Sequence, residues 1–207
     1  MIQSTIHSIF PTPVYFSELN RELTKKELLE VDNLKKDSHN NEGNITSNNN
    51  YVLNLKEFKD IKNEIDLRIK DYFEKVICSS NNLKPCITQS WLNYTDKNEY
   101  HHRHAHPNSF VSGILYINCN KEYDKIKYFK SDDYQTIKPE IKKYNLYNYD
   151  NWWFSVKTGD IVLFPSSLVH MVETKKGDNT RISLSFNIFV KGTIGTNDKL
   201  TELNLDG

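Results

Sequence analysis

Four of the seven histidines in this chain fall within six positions, in Tyr100-His101-His102-Arg103-His104-Ala105-His106-Pro107. In an extended strand, residues two apart share a face. His102, His104 and His106 would then point one way, and His101 and Arg103 the other. Two imidazoles at that spacing can reach one metal ion, and imidazole suits iron, zinc, copper and nickel alike. A solvated loop that happens to be rich in histidine accounts for the same letters. Context favours the metal: the cluster runs straight into an apolar strand, Phe110-Val111-Ser112-Gly113-Ile114-Leu115-Tyr116-Ile117.

A fifth histidine, His170, follows Gly159-Asp160-Ile161-Val162-Leu163-Phe164-Pro165-Ser166-Ser167-Leu168-Val169. It stands after a buried-type strand and a turn. An open catalytic metal site needs three protein ligands, with positions left for substrate and water. His170 can be the third, although an ordinary histidine at a strand end reads the same way. Eleven positions later Arg181 opens Arg181-Ile182-Ser183-Leu184-Ser185-Phe186-Asn187. Alternation puts Arg181, Ser183 and Ser185 on one face and Ile182, Leu184 and Phe186 on the other. The polar row either faces water or lines a ligand cavity. In a cavity, the arginine suits a bidentate grip on a carboxylate.

The elements that would position these residues are mostly strands. Ile87 to Tyr94, Phe110 to Asn118, Ile126 to Phe129, Trp152 to Val156, Asp160 to Phe164, His170 to Glu173 and Arg181 to Val190 are rich in β-branched and aromatic residues. Turns such as Thr158-Gly159-Asp160 and Lys176-Gly177-Asp178-Asn179 separate them. Before them, Asn20 to about Lys36 and Leu55 to about Val76 predict two helices. The second is the clearer, with Phe58, Ile61, Ile65, Ile69, Tyr72 and Phe73 on one face. His39 to Asn50 is polar and reads as a loop, and Ile9 to Phe16, with two prolines, as an extended edge. Asp132 to Asp150 is tyrosine-rich and reads as an excursion from the strands. Many short strands behind a few helices predict a mainly β (α+β) jelly-roll barrel, with the N-terminal helices packed outside it.

At 207 residues the chain reads as one domain: an N-terminal segment with two helices over 1–80, then a jelly-roll core over 86–192. Lysine plus arginine equals aspartate plus glutamate at 27 each, so no basic surface indicates nucleic acid. Cys78, Cys86 and Cys119 are odd in number and form no Cys-x-x-Cys pair, which fits a reducing, cytoplasmic compartment. No apolar run approaches a membrane span, and the N-terminus shows no signal-peptide pattern. Neither the substrate nor the oligomeric state is legible.

Taken together, His-x-His, Ser-Gly-Ile-Leu-Tyr-Ile-Asn, Gly-Asp-Ile-Val-Leu-Phe-Pro-Ser-Ser-Leu-Val-His and Arg-Ile-Ser-Leu-Ser-Phe-Asn resemble a small family of 2-oxoglutarate/Fe(II)-dependent oxygenases. Phe10-Pro11-Thr12-Pro13-Val14 and Ser90-Trp91-Leu92-Asn93 resemble it too, and the likeness is densest from Ser90 to Asn187. It implies a double-stranded β-helix with a metal at its mouth. It further implies a dioxygenase that uses Fe(II), O2 and 2-oxoglutarate, most simply a hydroxylase. The wider superfamily binds iron with His-x-Asp/Glu and a distal His, and holds the far carboxylate of 2-oxoglutarate with an arginine about ten residues beyond.

Arg181 matches that arginine, with Ser183 and Tyr116 as partners for the same carboxylate. No Asp or Glu stands two after any histidine of the cluster. His106 then replaces the carboxylate, giving His104, His106 and His170 as metal ligands, with no catalytic side chain expected beyond them. His102 with His104 is the other register, and the metal itself stays open. Two rivals also accommodate these residues: a cupin-like metal barrel with an activity that does not use 2-oxoglutarate, and a non-catalytic binding module. The first has no need of a carboxylate clamp at Arg181.

Overall fold

The computed structural model describes residues 2–130 and 139–205. After a short edge strand β1 (Tyr15–Glu18) comes helix α1 (Lys25–Lys36), then β2 (Ser38–Asn41), β3 (Asn44–Ser47) and helix α2 (Lys59–Tyr72). Eight strands follow: β4 (Lys84–Thr95), β5 (His101–His104), β6 (Val111–Asn118), β7 (Lys125–Phe129), β8 (Asn151–Ser155), β9 (Asp160–Pro165), β10 (His170–Val172) and β11 (Arg181–Lys191). A small pair, β12 (Thr193–Ile194) and β13 (Leu203–Asn204), ends the described chain.

Strands β4 to β11 divide between two sheets. One sheet runs β1-β9-β6-β11-β4-β3-β2, the other β5-β10-β7-β8. Apart from the β7–β8 pair, which stays within the small sheet, successive strands cross from sheet to sheet and wind a double-stranded β-helix. The two sheets share no hydrogen-bonded edge among the described residues, so the barrel is an open sandwich rather than a closed cylinder. The longest seam joins β11 to β4 on one side and to β6 on the other, antiparallel throughout.

Alternation along these strands makes two cores. On the outer face of the large sheet, Leu115, Ile161, Leu163, Leu184 and Phe186 pack with Phe58, Ile61, Ile65 and Ile69 of the α2 region. On the inner face, Ile114, Tyr116, Val162 and Phe164 meet Ile126 and Tyr128 of the small sheet. The glycine in the middle of β6 has a packing cause. A Cβ on Gly113 would stand 2.1 Å from the Phe186 ring, which crosses directly over it.

Two elements differ from the sequence expectation. Helix α1 begins at Lys25 rather than near Asn20, because Thr24 and Glu27 form a capping box that fixes the start. The polar stretch expected as a loop contains the β2–β3 hairpin, whose second strand extends the large sheet beside β4. Its pairing is made by the backbone, so it needs no apolar alternation. The excursion over 132–150 lies partly outside the described residues; from 139 to 150 it forms turns and irregular chain.

Leu115, Val162, Leu163, Leu184 and Phe186 are all fully buried. Phe186→Ala opens a cavity between Gly113 and the helices and should cost about 3–5 kcal/mol. Urea melts check this, and a loss under about 1 kcal/mol contradicts the packing described.

Candidate metal and co-substrate site

His104, His106 and His170 each place a ring nitrogen within 4.8 Å of the other two. The topology brings them together. His170 opens β10, in register with His104 of β5 on one side and Tyr128 of β7 on the other. His106 lies just past β5, and its N–H donates to the Ser166 carbonyl at 2.9 Å, which ties the loop after β5 to the turn after β9. The rings are 4.4 Å (His104–His170), 5.0 Å (His104–His106) and 5.2 Å (His106–His170) apart, centre to centre. Trp91 stacks on the His106 ring as well, at 5.7 Å and 22°.

All three rings are oriented by acceptors at Nδ1. His104 meets the His102 carbonyl at 2.8 Å, His170 the Leu168 carbonyl at 3.0 Å, and His106 the Oδ1 of Asn187 at 2.8 Å. These oxygens accept, so Nδ1 carries the proton and Nε2 keeps its lone pair in each ring. This is the arrangement that metal-ligating histidines use to fix tautomer and angle. Burial, with neighbouring imidazoles second, pushes His170 down to about 3 and His106 to about 4. Burial also lowers His104. At neutral pH all three rings are therefore uncharged, the form in which an imidazole can ligate a metal.

The inner row of β11 continues the site. Arg181, Ser183 and Ser185 are all buried, and they line the same cavity as the three histidines. The polar row thus faces the interior rather than water. Arg181 is only 3% exposed; its Nε has no partner, and one terminal nitrogen is 3.4 Å from the Lys125 carbonyl. Its guanidinium carbon stands 5.3 Å from the centre of the Tyr116 ring. The hydroxyls of Tyr116 and Tyr128 are also buried without partners. Among the described residues, no aspartate or glutamate lines the cavity. A buried cation beside unpartnered donors, with no carboxylate to offset it, fits an anion with oxygen acceptors.

One inference from alternation is corrected. β5 and β10 pair with a register shift: His170 faces His104, but Val172 faces His101. The extra residue is a β-bulge, and it turns His101 to the cavity side, where its ring stacks on His104 at 4.7 Å and 24°. Arg103 is exposed and lies over the Phe129 ring at 4.0 Å, and His102 is not among the residues that line the cavity.

Residues the sequence reading passed over also shape the site. Asn187 extends the Arg181-Ser183-Ser185 alternation by one step and accepts from both His106 and Ser112. Asn93 donates to Ser185 at 3.0 Å and accepts from Thr46 of the hairpin at 3.1 Å. Period-two alternation could have marked Asn187. Nothing local marks Asn93 or Ser112, whose roles come from neighbouring strands.

Residues 89–187 match a family model described as "Putative 2OG-Fe(II) oxygenase". This segment, just under half of the chain, is similar to the 2OG-Fe(II) oxygenase family. No curated protein sequence matches the chain. The fold is shared with solved structures of low identity. One is an oxidoreductase of the 2OG-Fe(II) oxygenase family from Burkholderia pseudomallei, at 14% identity and TM-score 0.54, covering 79% of this chain and 78% of that one. Another is a prolyl hydroxylase from Trichoplax adhaerens, in complex with a hypoxia inducible factor peptide fragment, at 14% identity and TM-score 0.58, with 85% and 83% covered. A third is HygX from Streptomyces hygroscopicus with nickel and 2-oxoglutarate bound, at 11% identity and TM-score 0.56, with 86% and 82% covered. The matched family is one of dioxygenases described by iron and 2-oxoglutarate, and the matched segment contains His104, His106, His170 and Arg181.

Asn187 holds His106 by its side chain, whereas His104 and His170 are held by main-chain carbonyls. Asn187→Ala should therefore weaken Fe(II) or Mn(II) binding by about 10–100-fold without unfolding the protein. Anaerobic metal titration with a parallel thermal melt checks it; unchanged affinity would show that the Nδ1 bond does not orient the ring.

Proposed function

We propose that this oxygenase binds Fe(II) through Nε2 of His104, His106 and His170 and grips the far carboxylate of 2-oxoglutarate with Arg181. In this reading Ser183 and Tyr116 assist Arg181, and the enzyme hydroxylates a C–H bond of a substrate not yet identified. The observation that carries it is the buried Arg181 guanidinium, without a counter-ion among the described residues, in the cavity of the histidine triad. We take the chain as a single oxygenase domain that acts in the cytoplasm, in keeping with its three free cysteines.

Bound iron and 2-oxoglutarate would supply the oxidation, in which O2 and 2-oxoglutarate give succinate and carbon dioxide while substrate is oxidised. The chain's own residues bind and orient. Arg181 offers two parallel N–H donors to one carboxylate, and burial makes that pair strong, because water does not compete for it. Tyr116 Oη has no other partner and stays protonated, since burial raises its pKa. Ser183 pairs with Tyr116 across β11 and β6 and lines the cavity beside Arg181. Phe164 and Ile114 wall the histidines from solvent with apolar surface. The buried arginine also argues against a barrel that does not use 2-oxoglutarate, since an unpaired buried cation is costly unless a ligand offsets it.

Hydrogen bonds to charged groups are worth about 1.5–3 kcal/mol, and 1.4 kcal/mol is a decade of affinity. Arg181→Ala should thus weaken 2-oxoglutarate binding at least about tenfold, with Arg181→Lys between it and wild type, while metal affinity holds. Calorimetric titration of 2-oxoglutarate into anaerobic Mn(II)-loaded protein measures this. Equal affinity in Arg181→Ala and wild type would remove the co-substrate assignment.

A further inference from the structure

A second set of three histidines meets the same distance condition as the triad. His101, His102 and His104 each place a ring nitrogen within 4.8 Å of the other two. The bulge in β5 builds this set by turning His101 to the side of His104. The His102 ring lies 4.8 Å from that of His104 and 5.2 Å from that of His101. Nδ1 of His102 is buried with no hydrogen-bond partner, a free polar atom beside two other imidazoles. Nothing in the proposed function uses it.

His104 belongs to both sets, and its chemistry decides how they relate. Its Nδ1 proton is given to the His102 carbonyl at 2.8 Å. Only Nε2 is left, and it has one lone pair, so His104 serves one ion at a time. A dinuclear centre bridged by this ring would need Nδ1 as well and would break that bond. The two sets are therefore alternative positions for a single ion.

We propose that His101, His102 and His104 form a second seat for one divalent transition metal, in exchange with the seat at His104, His106 and His170. The ion pivots on His104. Both seats are all-imidazole, so both suit the same metals. This inference rests on the triad reading above. In the seat at His101 the ion stands apart from His170. An ion parked there would hold the protein inactive until it moves across.

The test uses Co(II) as the probe, with the full chain under anaerobic conditions, and reads ions per chain and the visible absorption spectrum. Wild type should bind one cobalt. His106→Phe/His170→Phe, which keeps ring volume without a lone pair, should still bind one, more weakly and with an altered spectrum. Adding His101→Phe and His102→Phe should abolish that binding. His101→Phe/His102→Phe alone should keep one cobalt. The corresponding alanine variants, screened for folding by circular dichroism, serve if a phenylalanine pair does not fit. Loss of cobalt from a folded His106/His170 variant overturns the second seat and leaves the triad standing. Two ions in wild type overturn the exchange. Loss of cobalt from a folded His101/His102 variant overturns the exchange and the triad reading together.

Discussion

A guanidinium buried without a counter-ion among the described residues is the constraint around which this site is arranged. Arg181 starts β11, the strand hydrogen-bonded to both β4 and β6 at the centre of the large sheet. Its position is set by the longest seam in the molecule, and both faces of β11 are covered. An unpaired charge there costs several kcal/mol, so the fold carries it at the expense of stability. Polar rather than apolar side chains follow it along the inner row, and that row ends at Asn187, which holds His106. One strand thus supplies the candidate anion contact at its start and the support of a metal-ligand candidate six residues on.

The outer row of the same strand explains how such a row can be held. Ile182, Leu184, Phe186 and Ile188 pack toward the α2 face of the sheet. Burial of these side chains, at about 25 cal/mol per Å² of apolar surface, offsets the desolvation of the inner row. The helices contribute to function through this route. They touch none of the site, yet without them the strand that carries Arg181 would have one apolar face in water. The hairpin β2–β3 works on the other side, where Thr46 and Asn93 relay a hydrogen bond to Ser185.

The strands were legible in the sequence because alternation and turn residues agree along the chain. Arg181 to Val190 was expected extended and is extended, with its two faces divided as the letters divide. The histidine cluster was legible as a cluster but not in its geometry. Alternation assigns His101 to the face opposite His104, and the bulge reverses that, because register with β10 decides it and β10 lies 66 residues away. The hairpin over 38–47 was not legible, since backbone pairing to β4 holds it and its side chains carry little apolar pattern. Asn93 and Ser112 escaped for a related reason: each acts across strands, on a partner the local sequence does not contain.

The departure from a histidine–carboxylate triad is a statement about charge. Three neutral imidazoles leave a divalent ion with its full charge, where a carboxylate ligand would remove one unit. The cavity wall adds Arg181 and, among the described residues, offers no aspartate or glutamate. Metal and arginine together thus place about three positive charges in a space with low effective dielectric, where like charges repel strongly. Only a ligand can bring the opposing charge. A dicarboxylate does so at both ends, one toward the metal and one on the guanidinium, and each end relieves a cost that the empty protein carries. Metal and co-substrate are then energetically coupled: each should bind more tightly in the presence of the other, by the same factor in both directions. In the proposed ligand set, a histidine at 106 transfers the task of neutralising the site from the protein to its co-substrate.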